Sequence, residues 1–209
     1  MNARVALWLA IAVIASAGRV CAQTVEVTPF VGYETAGEYP PENPNDIQTL
    51  RADAARTHGF FFDYRLLRNV QAEFLWVNNA TTYVATPTDP AQAARTFRTS
   101  IDQYQVGGLF HLRDRDAAVR PYLAAGLGVT HDSNGGALPN RSAFGFSLGG
   151  GLKYEPTRRV GARIDARWMP TYGSSEYGTA CDVEGFCYPD NIANYLERVN
   201  ITAGLVIRL

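Results

Sequence analysis

Arg163, Asp165 and Arg167 stand at every second position of GARIDARWMP (residues 161–170), with Ala162, Ile164, Ala166 and Trp168 in register around them. In an extended segment that spacing puts three charges on one face and apolar groups on the other. Asp63, Arg65, Glu73, Lys153 and Arg198 repeat the pattern elsewhere, each next to an apolar neighbour of opposite parity. Such a set suits one of two chemistries: a polar conduit for ions, or a network of ion pairs that neutralises charge in a confined interior.

Other reactive residue types are sparse. His131-Asp132-Ser133 has the residues of hydrolytic chemistry, but a triad is recognised by geometry rather than adjacency, and HDSNGG also reads as a polar turn. His58 and His111 lie in separate candidate strands and show no metal-ligand spacing. Cys181 and Cys187 (CDVEGFC) would form a disulfide closing a small ring, worth roughly 2 kcal/mol by chain entropy. The nearby Asp182, Glu184 and Asp190 lack the spacing of a calcium loop. No catalytic, cofactor-binding or metal-ligating residue is therefore expected, and no cofactor.

The elements that must position the charges follow from periodicity. Residues 1–22 have the form of a cleaved signal peptide: Arg4, the apolar run Val5–Ala17, and Val20-Cys21-Ala22 before the cut. Its removal takes Cys21 and leaves an even cysteine pair in an exported chain. It also leaves 17 basic against 20 acidic side chains, a balance that excludes a nucleic-acid partner. Residues 23–209 are expected to form one domain. Alternation with period two marks strands at 24–34, 57–66, 70–78, 101–112, 119–130, 143–154, 160–169 and 196–208. Long connections (35–56, 79–100, 131–142, 170–195) alternate with short ones, so an up-and-down sheet would collect the long loops at one end. This predicts an all-β fold: a closed, antiparallel, eight-stranded transmembrane barrel.

A soluble, ligand-carrying barrel would turn the apolar face inward, and a membrane barrel turns it outward. An eight-stranded lumen is filled by side chains or one small ligand, too little for the apolar set. The charged face therefore goes inside, and confined charges need partners or cost several kcal/mol each. The expected lumen set is Asp63, Arg65, Glu73, Lys153, Arg163, Asp165, Arg167 and Arg198. Two aromatic girdles are expected, with Tyr33, Trp76, Trp168 and Tyr195 toward the long loops and Tyr64 and Tyr154 toward the short turns. Phe30, Phe61, Leu75 and Val77 fall on the nominal interior face, and Pro29 suggests a local bulge.

TVEVTPFVGYE (24–34), GFFFDYRL (59–66), VRPYLAAGLGVT (119–130) and NITAGLVIRL (200–209) resemble segments of the small bacterial outer-membrane β-barrel proteins. These are the outer-membrane protein β-barrel domain group related to the transmembrane domain of OmpA, OmpX and OmpW, and the resemblance covers 23–209. It implies a place in the outer membrane of a Gram-negative cell and insertion by the barrel-assembly machinery; a monomer is expected. Its partners would be outer-membrane lipid and lipopolysaccharide, with a loop ligand left unspecified. That machinery prefers a C-terminal aromatic, and this chain has Leu209. The narrow lumen and its need to pair charges lead to the expectation of a non-enzymatic, side-chain-plugged barrel acting through its outer loops. The resemblance leaves open a narrow passage for small apolar molecules, as in OmpW-like proteins, and a rim lipid hydrolase using His131 and Ser133.

Overall fold

The computed structural model describes residues 25–35, 37–39, 47–87, 93, 95–114, 117–133, 141–172, 179–181, 187–189 and 195–209. The expected signal peptide lies outside them. Eight strands carry the fold: β1 (Val25–Glu34), β2 (Ala55–Arg65), β3 (Val70–Pro87), β4 (Arg95–His111), β5 (Val119–Ser133), β6 (Arg141–Tyr154), β7 (Val160–Trp168) and β8 (Val199–Arg208). Each pairs antiparallel with the next. β8 returns to β1, from Glu26↔Arg208 to Glu34↔Asn200, and closes the barrel. Among the described residues there is no helix long and apolar enough to cross a membrane.

The register fixes the barrel's dimensions. A path perpendicular to the strands runs Val25, Tyr64, Ala72, Gly108, Ala125, Leu148, Trp168, Val199 and returns to β1 at Thr35. The offset from residue 25 to residue 35 is the stagger of the closed sheet. With ordinary strand spacing it gives a tilt of about 40° and a backbone radius of about 8 Å.

Alternation then sorts the side chains. Val31, Val106, Leu127, Ile164 and Leu205 stand on the outer surface, each more than half exposed. Converting register and tilt into height, Tyr33, Trp76, Tyr104, Phe146 and Trp168 fall within about 5 Å of a common level. Tyr64, Phe110 and Tyr154 form a second level about 16 Å below. Tyr104, Phe110 and Phe146 complete these rings beyond the residues expected from sequence, whereas the Tyr195 side chain lies outside the described set. Between Val119 and Val129 the apolar band is about 25 Å tall, the height of a bilayer's hydrocarbon region as barrels span it.

Strand ends differ from expectation on the long-loop side. The segment 79–100, expected as loop, continues β3 to Pro87 and begins β4 at Arg95. Within 35–56, Ile47–Ala52 pairs with the outer part of β3, and Gly37–Tyr39 pairs with Ile47–Ala52. Above the apolar band no lipid imposes alternation, so the segments TTYVATP and RTFRTS lack the signal that marks strands below. Pro29 makes no bulge: β1 keeps one register with β8 on both sides of it, with ladder pairing interrupted only at Thr28 and Pro29. β7 is interrupted in the same way at Met169-Pro170, where the register with β6 and with the chain before β8 is unchanged on both sides. Beyond it Thr171–Tyr172 resumes pairing with β6 at Gly145 and Phe144 and pairs with Tyr195–Leu196 on its other side.

Candidate functional site

The inward positions of the lower half of the barrel, nearest the short turns, are charged and joined across the lumen. Lys153 on β6 extends to the opposite wall, where its Nζ donates to Glu26 Oε2 on β1 (2.7 Å), Asp63 Oδ2 on β2 (2.7 Å) and Gln71 Oε1 on β3 (2.9 Å). Arg163 on β7 crosses likewise, donating from Nη1 to Asp63 Oδ2 (3.2 Å) and from Nη2 to Glu73 Oε2 (2.7 Å). Its Nη2 also reaches Asp165 Oδ2 (3.0 Å), and its Nε donates to the Tyr122 hydroxyl (2.8 Å). Tyr122 in turn donates to Asp165. Arg167 completes the set, with Nη1 2.6 Å from Glu73 Oε1 and Nε 2.8 Å from Asp165 Oδ1. All these charged side chains are buried, with Lys153, Glu26 and Asp63 at 0 % exposure.

Why the chain can assemble this cluster is a matter of side-chain length and space. An arginine reaches about to the axis of a lumen of this radius, where carboxylates from the opposite wall meet it, and its planar fork serves several of them at once. The Arg163 guanidinium also lies 3.6 Å from the Phe61 ring centroid, a cation–π contact. Gly151 gives Tyr122 its path: a Cβ there would lie 2.8 Å from the ring's Cζ.

Below the cluster, Glu155 pairs with Arg120 Nη1 (3.3 Å) and Arg208, which also reaches Glu26 (3.1 Å). Arg65 Nη2 approaches Glu26 Oε1 at 3.9 Å. Beside Lys153, Gln71 Oε1 meets His111 Nε2 at 2.8 Å. Above the cluster the wall turns apolar, where Phe30, Phe61, Leu75, Val77 and Met169 form one buried group. The four aromatic and aliphatic residues that broke the expected polar face are thus neighbours, with the Phe30 and Phe61 rings 4.7 Å apart. Gly59 admits Phe30, whose Cζ would lie 2.8 Å from a Cβ at that position.

Nearest the long loops lies a second, separate polar set. Arg198 Nη1 meets Glu34 Oε1 at 3.0 Å, and Asn79 Nδ2 donates to the same oxygen at 2.6 Å. Asn200 Oδ1 accepts from Thr57 at 3.3 Å. The structure therefore divides the residues singled out from sequence. Asp63, Glu73, Lys153, Arg163, Asp165 and Arg167 form the lower cluster, Arg65 borders it, and Arg198 belongs to the upper set. Glu26, Glu34, Tyr122, Arg120, Glu155 and Arg208 were not singled out. Parity within the expected strands places all of these but Glu155 inward, Glu26 with the other polar residues of the mixed face, yet their partners depend on the stagger.

The residues considered for hydrolysis are arranged differently from expectation. His131 Nδ1 meets Ser142 Oγ on the neighbouring strand at 2.9 Å, on the outer surface. That pair stands above the outward apolar band, about 8–12 Å above the upper aromatic level. Among the described residues no group of three or more His, Cys, Asp or Glu side chains could hold a metal ion. Cys181 and Cys187 face each other in backbone register across a two-stranded ribbon; their side chains lie outside the described set.

No family model matches the sequence, and no curated protein does. Solved structures match the fold. Neisserial surface protein A superposes with a TM-score of 0.62 at 13 % identity, covering 91 % of this chain and all of that one. The outer membrane protein OprG of Pseudomonas aeruginosa gives 0.59 at 10 % identity, covering 90 % of this chain and 96 % of that one. Closure and strand number agree with these comparisons: the chain has the fold of the small bacterial outer-membrane β-barrel proteins.

Proposed function

We propose that the protein is a monomeric outer-membrane barrel whose lumen is plugged by side chains and whose surface role is exercised by its outer loops. The observation that carries this reading is the crossing of the lumen by Lys153 and Arg163, each bonded to carboxylates on the opposite wall with almost no exposure. An ion entering from either mouth would have to separate charges that are already paired and desolvated. Location in the outer membrane is supported by the apolar band and by the fold comparisons. Export through a cleaved signal peptide, insertion by the barrel-assembly machinery and a Cys181–Cys187 disulfide belong to the same reading. The outer ends of β3 and β4 pair with each other, and the strand Ile47–Ala52 pairs with β3, so the sheet continues beneath the loops. Lipopolysaccharide is the lipid that would surround that end, and the loop ligand is left unnamed.

Planar-bilayer recording tests the plug. The refolded protein should show no conductance steps in molar salt over the range of potentials a bilayer withstands. A steady, reproducible conductance from the unmodified chain would contradict the plug. Flux of small apolar molecules without ion conductance would instead favour the narrow-passage reading.

A further inference from the structure

The short-turn end carries arginines that the lumen does not use. Arg113 follows Leu112 at the foot of β4, and Arg158 and Arg159 form the tip of the β6–β7 turn; all three are exposed. Among the described residues none of them has an ion-pair partner, whereas Arg68 pairs with Asp114, and Arg120 and Arg208 are taken by Glu155. Their placement is built in. Thr157 closes the β6–β7 turn, accepting from Val160 N at 3.0 Å and donating to Val160 O at 2.9 Å. The β4–β5 turn is held by Ala117 N to Asp114 O at 3.2 Å, and Glu155 N bonds Ala118 O at 2.8 Å, tying the two turns together.

The level of these arginines matters as much as their charge. Leu112, Val119, Tyr154 and Val160, all substantially exposed and outward, mark the lower edge of the apolar band. The arginines stand at or just beyond that edge, where lipid headgroups lie. The sole lysine, Lys153, is in the lumen, so the free positive charge at this end is entirely guanidinium. A guanidinium binds phosphate through paired hydrogen bonds and tolerates partial desolvation better than an ammonium.

We infer that Arg113, Arg158 and Arg159 form a binding surface for the phosphates of anionic phospholipid in the leaflet at the short-turn end. The inference rests on the membrane reading above. The aliphatic edge holds the acyl chains while the arginines take the phosphate, so a lipid with net negative charge is retained over a zwitterionic one. The partner is membrane lipid and not a soluble polyanion, because the charges adjoin the apolar band.

The test uses the full chain refolded into vesicles of phosphatidylcholine alone or with one part in five phosphatidylglycerol. Flotation reports insertion, and spin-labelled lipids report which lipid the barrel retains. The wild type should float with both vesicles and prefer spin-labelled phosphatidylglycerol by about five-fold, as for one basic contact at a membrane surface. The triple variant R113Q/R158Q/R159Q should insert equally and lose the preference, while R56Q/R98Q, altered at the opposite end, should keep it. No preference in the wild type, or preference retained by the triple variant, overturns the lipid surface. So does a stronger response to soluble acidic peptidoglycan fragments than to phosphatidylglycerol. Failure to float with either vesicle overturns the membrane reading and this inference together.

Discussion

Arg163→Ala is expected to lower the stability of the folded barrel by about 3–5 kcal/mol, the usual cost of deleting one partner from a buried ion pair. The reason lies less in the bonds lost than in what stays behind. Asp63 and Glu73 each lose a charged donor, and so does Asp165 on the same strand. Arg167 still reaches Glu73 and Asp165, and Lys153 still reaches Asp63, so the residual carboxylates are under-compensated rather than isolated. That places the effect within the range for single pairs despite three contacts. Urea titration in a lipid or detergent that supports reversible folding gives the number. Arg163→Lys, with one point charge in place of a fork, should recover only part of it. A loss below about 1 kcal/mol for the alanine variant, the value of an exposed pair, would mean that water reaches the cluster.

The second large effect lies one residue away and has the opposite logic. Ile164→Arg turns a charge outward at the middle of the apolar band and should cost about 2–4 kcal/mol in a bilayer. Ile164 is 59 % exposed in the isolated chain, so on a water-soluble protein the same substitution would fall within about 0.5 kcal/mol of neutral. Equilibrium unfolding from vesicles therefore separates a lipid-facing surface from a solvent-facing one. At Val31 or Val106, also outward in the band, arginine should behave alike; at Arg56, above it and already exposed, exchange for another polar residue should be neutral.

Much of this architecture is legible in the residues because lipid imposes a stricter code than water. GARIDARW admits only one orientation, since a slip of one residue would send Arg163 and Arg167 into the hydrocarbon. The eight strands and their faces follow from that alternation. The code fails wherever lipid is absent. Above the band, β3 and β4 continue through threonine, alanine and arginine without alternation, and sequence reading ends them early. It also fails inside, where Phe30, Phe61, Leu75 and Val77 contradict a uniformly polar lumen; the interior is layered, and the apolar group fills the level between two polar ones. Pairings such as Lys153 with Glu26, 127 residues apart, depend on the stagger of the closed sheet, which no local pattern encodes. Arg198 illustrates the point: its parity places it inward correctly, but only the stagger assigns it to Glu34 rather than to the lower cluster.

The most direct test of a filled barrel facing lipid combines two reagents on one set of single cysteines, introduced after replacing the native ones by serine. Ile164→Cys, Ala166→Cys and Leu148→Cys are outward in the band, whereas Ser147→Cys and Thr202→Cys are inward and buried. In vesicles, a fluorophore on the outward cysteines should be quenched by brominated acyl chains. The inward pair should react with neither a water-soluble maleimide nor a lipid-borne reagent until the barrel is unfolded. Rapid aqueous labelling at 147 and 202 in the folded protein, or loss of acyl-chain quenching at 148, 164 and 166, would contradict the structure's division into a packed interior and a lipid-facing exterior.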